Sequence, residues 1–156
     1  MRIIETVVDI NDKRKTAMAD RIMAACGGSV DGKTVAILGL TFKPNTDDMR
    51  DSPSLAIVSA LLDAGATIKA YDPEGMDEAK RMMPDVIYCE DTYATMDGAD
   101  VLVIVTEWNE FRSLDFARIK GLLSAPILVD LRNIYTPEDL AQAGFSYHCI
   151  GRATRK

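Results

Sequence analysis

Short apolar runs recur along this chain at near-regular intervals, and that alternation constrains the fold more than any other feature. The runs are "TVAILGL" (34–40), "TIKAYD" (67–72), "VIYC" (86–89), "DVLVIVT" (100–106), "PILVDL" (126–131) and "FSYHCI" (145–150). "TVAILGL" and "DVLVIVT" show no polar alternation, which suits strands buried on both faces. The segments between the runs have helical spacing. One helix is predicted from Pro53 to about Ala64, with Ser52 as N-cap, Pro53 as its first residue and Gly65 as its stop. Others are predicted over Gly75–Met83, Thr92–Met96, "LDFARIKGLL" and "PEDLAQAG". A chain that leaves each strand through a helix returns parallel to it. The fold class is therefore α/β: a Rossmann-like three-layer α/β/α arrangement with a mostly parallel sheet of five to six strands. The last strand leaves an antiparallel edge open.

A long helix is predicted before the first strand, from Arg2 to about Cys26, with Gly27 and Gly28 ending it. Ile3, Ile4, Val7 and Val8 form an apolar stripe on it. Either that stripe packs on its own domain or it faces something outside the chain. Residues 1–28 are read as this connecting helix and residues 29–156 as the globular domain.

At 156 residues the chain suits one domain with a sizeable core. Its formal charge of -6 opposes a general nucleic-acid or anionic-membrane role, so any anion site must be a local cluster of cations. Cys26, Cys89 and Cys149 are widely separated and only His148 could join them, which argues against a zinc site or a disulfide framework. No leader pattern or membrane-length apolar run occurs, so the expectation is a cytoplasmic protein.

In an open parallel sheet, ligands bind beyond the carboxyl ends of the strands. "GLTFKPNTDDMRDSPS" follows the first strand with Lys43 and Arg50, "TEWNEFR" follows the fourth with Glu107, Trp108 and Arg112, and "DLRNIY" follows the fifth with Arg132 and Tyr135. Cations and aromatics on one rim suit a nucleotide, rings flanking the base and guanidinium forks taking phosphate. The usual dinucleotide fingerprint is lacking: Gly39 stands alone, and Phe42 and Pro44 fill space that motif keeps empty. Asp72-Pro73 reads as a turn, not as a ribose-gripping acid. No lysine-bearing phosphate loop, receiver-type acid cluster, serine elbow or metal-binding HExxH is present. "CGGS" at Cys26 closes a helix on the far side of the domain and is not read as a nucleophile.

The motif "GLTFKPNTDDMRDSPS" resembles the signature of the C-terminal domain of the UDP-glucose/GDP-mannose dehydrogenase family, and "VTEWNEFR" and "LVDLRNIY" resemble two further blocks in the same order. "YDPEGMDEAK" also fits. "IIETVVDINDKRK" resembles the end of the central helix through which these enzymes dimerise. The "TEWNEF" block favours the UDP-glucose 6-dehydrogenase branch. The resemblance implies NAD-dependent, two-step oxidation of the C6 hydroxyl of a nucleotide sugar. Phe42, Lys43 and Arg132 then correspond to contacts with the UDP-sugar, and Arg50 to a contact with NAD. Asp47 and Asp48 are expected to bracket the loop and orient Arg50. The family's G-S-C-F-P-K-D-like block and its GxGxxG domain have no match here, so the NAD-binding half and the catalytic cysteine are expected elsewhere and this chain alone is expected to be inactive. Two rivals remain: an assembly module built on the N-terminal stripe, and the same domain of a sister enzyme acting on UDP-N-acetyl sugars or GDP-mannose.

Overall fold

The computed structural model describes residue 13 and residues 16–150. Six strands form one sheet: β1 (Thr34–Leu38), β2 (Thr67–Tyr71), β3 (Ile87–Tyr88), β4 (Val101–Ile104), β5 (Ile127–Asp130) and β6 (Ser146–Cys149). Their order is β3-β2-β1-β4-β5-β6, and every neighbouring pair is parallel. The sheet is thus wound outward from β1 in both directions, with the switch point between β1 and β4. The edge strand β6 pairs parallel with β5, Leu128 opposite Tyr147, so the antiparallel edge left open by the sequence does not occur. The reason is α6 (Pro137–Gln142): a helix stands between β5 and β6 and returns the chain for a parallel crossover.

Strand alternation distributes the core to two faces. Val35 and Ile37 of β1 join Ile68, Val101, Val103 and Val129 on one side. Ala36 and Leu38 join Leu102, Ile104 and Leu128 on the other. The first face is covered by α2 (Pro53–Asp63) through Ile57, Val58 and Leu61, and by α3 (Met76–Met82) through Ala79. A described helical stretch over residues 16–25, here α1, adds Ile22 to the same face, and Arg21 Nη1 donates to the Cys149 carbonyl at 2.6 Å. The second face is covered by α4 (Thr92–Met96), α5 (Phe116–Leu122) and α6, through Met96, Ile119 and Leu140. The three layers predicted from the sequence are present.

Helix boundaries follow the capping chemistry. Ser52 caps α2 by accepting from the Ser54 N–H, and Pro53 opens the helix where its missing N–H costs nothing. Gly65 follows the C-cap at φ 94°, where a side chain would be strained, and the Ala66 N–H closes on the Leu61 carbonyl. Asp91, Asp115 and Thr136 cap α4, α5 and α6 in the same way. The stripe of Ile3, Ile4, Val7 and Val8, with the start of the predicted long helix, lies outside the described residues. No described helix is long and apolar enough to cross a membrane.

Candidate nucleotide-sugar site

Because all strands run parallel, the loops after β1, β4 and β5 share one edge of the sheet. β1 and β5 flank β4, so their ends lie about 10 Å apart at ordinary strand spacing. Two buried aspartates build this edge from below. Asp72, fully buried just after β2, accepts from the Leu40 and Thr41 N–H groups at 2.7 and 3.1 Å and from the Thr41 hydroxyl at 3.2 Å. Its carboxylate also accepts from the Glu74 and Gly75 N–H groups at 2.9 and 2.8 Å and from the Trp108 indole at 3.1 Å. One side chain therefore locks the ends of β1, β2 and β4 together. Asp130, fully buried at the end of β5, accepts from the Arg132 N–H at 3.0 Å, the Tyr135 N–H at 3.1 Å and the Tyr147 hydroxyl at 2.7 Å. Asp72 is more than the turn residue read from the sequence, and Asp130 drew no attention there. The only sequence signal is a carboxylate closing an apolar strand just before a loop; its burial depends on which loops meet it.

The switch point itself is filled by protein. Gly39 has φ 90°, and a Cβ placed there would stand 2.5 Å from Thr106 Cβ and 2.6 Å from the Thr106 nitrogen. The Val105 N–H donates to the Leu38 carbonyl at 2.9 Å, and the Thr106 hydroxyl donates to the Thr41 carbonyl at 2.6 Å. Gly39 serves close contact between two strand ends of the protein, not approach of backbone to a pyrophosphate. Among the described residues no buried side-chain nitrogen or oxygen lacks a partner. The residues here therefore do not fit NAD in the usual crevice of such a sheet.

Above this floor stand the residues singled out in the sequence. Phe42 is 48% exposed although it is a large apolar ring, and Lys43 is exposed beside it. The Phe42 N–H donates to the Asp48 carbonyl at 2.9 Å, which closes the loop, and Met49 plugs the loop into the core. Asp48 behaves as expected: its Oδ1 accepts from the Arg50 N–H at 2.9 Å and from Nε at 3.1 Å, and its Oδ2 from Nη2 at 3.3 Å. The Arg50 guanidinium hydrogen bonds hold the Asp48 carboxyl below the usual carboxylate range. Asp47 is exposed and makes none of these loop bonds. Arg50 lies against α3, in a hollow shared with Asp47, Asp48, Met49, Glu78 and Met82. It is thus on the β2 side of the edge, while Arg132 is on the β5 side, bonded through Nε to Glu107 Oε2.

The aromatics differ from expectation. Trp108 is 7% exposed with its indole committed to Asp72, so it offers no free face to a base. Tyr135 donates to the Phe111 carbonyl and accepts from the Leu114 N–H, and burial foremost pushes its phenol up to about 12. Both close the rim from inside; a 3-10 turn over Asn109–Arg112 turns Trp108 and Phe111 inward. Phe42 is the ring left outward. Cys26 is buried at the far end of α1, and that burial pushes its thiol up, so it is a core residue.

Comparison with known proteins points the same way. Residues 36–137 match the model of the UDP-glucose/GDP-mannose dehydrogenase family, UDP binding domain. The chain is 54% identical over 152 residues to a UDP-glucose 6-dehydrogenase of Rhizobium meliloti (strain 1021), covering 97% of this chain and 35% of that one. It is 39% identical to the UDP-glucose 6-dehydrogenase TuaD of Bacillus subtilis (strain 168), covering 97% of this chain and 33% of that one. It also superposes on the crystal structure of an NDP-N-acetyl-D-galactosaminuronic acid dehydrogenase from Methanosarcina mazei Go1, with a TM-score of 0.81, 29% identity, and coverage of 92% of this chain and 30% of that one. The chain spans about a third of the length of the curated relatives it matches.

Proposed function

The chain belongs to the UDP-glucose/GDP-mannose dehydrogenase family, and on that premise we propose that it is the nucleotide-sugar-binding part of a UDP-glucose 6-dehydrogenase. One observation carries the reading. An exposed ring and cation after β1, Phe42 and Lys43, and the Arg132 guanidinium after β5 stand on the same edge of the sheet. They are fixed from below by Asp72 and Asp130.

Each residue has a task that its chemistry suits. Phe42 offers an apolar surface at the strand end, against which uracil or ribose can lie. Lys43 is a mobile point charge for a uracil carbonyl or phosphate oxygen. Arg132 offers a planar fork to oxygens of the same ligand. The enzyme's reaction, on this reading, oxidises the C6 alcohol of UDP-glucose to the carboxylate of UDP-glucuronate by two hydride transfers to two NAD, with water supplying the second carboxylate oxygen and protons released. Since the β1–β4 crevice is filled, NAD is assigned to a separate nucleotide-binding half, and Arg50, presented at the other end of the loop by Asp48, reaches toward it. The family's cysteine block has no match in these residues, so this chain alone is not expected to turn over substrate. We place residues 1–28 in the connecting helix through which two copies would pair, and the enzyme in the cytoplasm.

The test is titration of the chain with UDP by calorimetry or amide chemical shifts, repeated with Lys43→Ala and Arg132→Ala. Weak binding that falls with each substitution supports the assignment; affinity unchanged by both overturns it. A sister enzyme is the second reading, favoured by the similarity to the Methanosarcina mazei protein. Rates of a full-length enzyme carrying this domain, with UDP-glucose, UDP-N-acetyl sugars and GDP-mannose, separate the two.

A further inference from the structure

Glu107 touches no ligand in the proposed site, yet it holds the Arg132 guanidinium. It lies three residues past the end of β4, next after Thr106, whose hydroxyl is tied to the Thr41 carbonyl next to Phe42 and Lys43. Its side chain is 20% exposed against 36% for Arg132. Thr41, Thr106, Glu107 and Arg132 form a continuous line across the ends of β1, β4 and β5. The line begins at the Phe42–Lys43 strand end and finishes at the guanidinium.

The mode of contact matters. Glu107 takes the Nε–H of Arg132, while the Arg132 backbone N–H is taken by Asp130. Among the described residues no acceptor is bonded to Nη1 or Nη2. A guanidinium has five N–H donors on a planar fork, and a carboxylate at Nε fixes that plane while leaving the terminal edge for a second oxygen pair. An arginine held in this way is an oriented donor, whereas an exposed one without a partner samples many rotamers.

Resting on the reading of Arg132 as a ligand contact, we infer that Glu107 is a positioning residue for nucleotide-sugar binding, which fixes the Arg132 guanidinium so that its terminal N–H groups meet the diphosphate or uracil oxygens of the ligand. Two effects of Glu107 oppose each other. Its negative charge repels an anionic ligand, worth about threefold in affinity at about 7 Å in water and less in salt. Ordering an arginine side chain from full freedom costs up to about thirtyfold. Orientation outweighs repulsion, so removing Glu107 weakens binding.

A double-mutant cycle on UDP affinity tests this, using Glu107→Ala, Arg132→Ala and the pair, with Glu107→Gln as an isosteric variant that preserves packing. Glu107→Ala is expected to weaken UDP binding about tenfold, the scale of one hydrogen bond to a charged group. Glu107→Gln, which keeps an acceptor, falls between it and the parent. In the Arg132→Ala background, Glu107→Ala has no further effect. The Arg132 Nε–H resonance supplies a signature that a purely structural role for Glu107 would not move. It is shifted downfield and slow to exchange in the parent, and collapses to the free-arginine position in Glu107→Ala. If Arg132→Ala weakens UDP binding but Glu107→Ala leaves it unchanged or tightens it, the inference about Glu107 is wrong and the site assignment stands. If Arg132→Ala itself leaves UDP binding unchanged, the site assignment fails and takes the inference with it.

Discussion

Asp72 shows how much one residue carries at this edge. A carboxylate with no exposure accepts bonds from two backbone segments, a hydroxyl and an indole, and among the described residues no Lys or Arg is bonded to it. Asp72→Asn places an NH2 donor where only donors point, leaving buried groups unpaired. The expected cost is about 3 kcal/mol, from more than one unsatisfied group, read as a lower urea midpoint. A loss under about 1 kcal/mol would show that the loops hold their shape without it. Cys26 gives a prediction in pH. Burial is the largest cause raising its thiol, with the Lys33 charge opposing. A folded value above the unfolded one means the neutral thiol is favoured by folding. That contribution is complete below the unfolded thiol value of about 8.5 and is lost as pH rises through the folded value. Wild type should therefore lose more stability than Cys26→Ala between pH 7 and 10. Under native conditions Cys89, half-exposed, should react first with a thiol reagent, and the buried Cys26 and Cys149 only on unfolding.

At the scale of elements, α2 and the loop before it form one unit. The Ser52 hydroxyl donates to the Leu40 carbonyl at 2.5 Å and accepts from the Ser54 N–H, and Ser54 Oγ donates to the same carbonyl at 2.6 Å. The helix start is thereby stapled to the end of β1, with the Phe42–Arg50 loop spanning between. Ser52→Ala should cost about 1–2 kcal/mol, as for other N-caps, and should also shift the amide resonances of Phe42 and Lys43. Unmoved loop resonances would separate the helix from the site. The loop also shows which parts were legible beforehand. Asp48 was expected to brace Arg50 and does so through three contacts, because an acid two residues before an arginine can reach both its backbone and its guanidinium. Asp47 was expected to share that role; it is exposed on the same hollow but makes none of those bonds. Trp108 and Tyr135 were expected on the rim with outward rings. A sequence window cannot show that Asp72, 36 residues away, holds the indole, or that the Phe111 carbonyl, 24 residues away, holds the phenol.

For the molecule as a whole, cores on both faces of one sheet should melt as a single unit. Far- and near-ultraviolet unfolding curves are expected to coincide, and truncations on either face, Ile57→Ala or Leu128→Ala, to lower stability by about 2–5 kcal/mol each. A ligand that binds only the folded chain raises its stability by mass action, by about 2.7 kcal/mol at a hundredfold excess over Kd. UDP should do so, and NAD should not, because the β1–β4 crevice is filled by Gly39 and Thr106. An NAD-induced rise equal to that of UDP would overturn the account of that crevice. The sequence by itself determined the layered α/β plan, since apolar runs and helix signals are local and periodic. Through its motifs it also determined the family, the placing of Phe42, Lys43 and Arg132 after strand ends, and that of Arg50 at the far end of the loop. Only the tertiary structure decided that β6 runs parallel, that Asp72 and Asp130 form the buried floor of the site, that two of the three rim aromatics face inward, and that Glu107 holds Arg132. Each of those depends on which distant strands and loops become neighbours, and long-range adjacency leaves no period in a sequence.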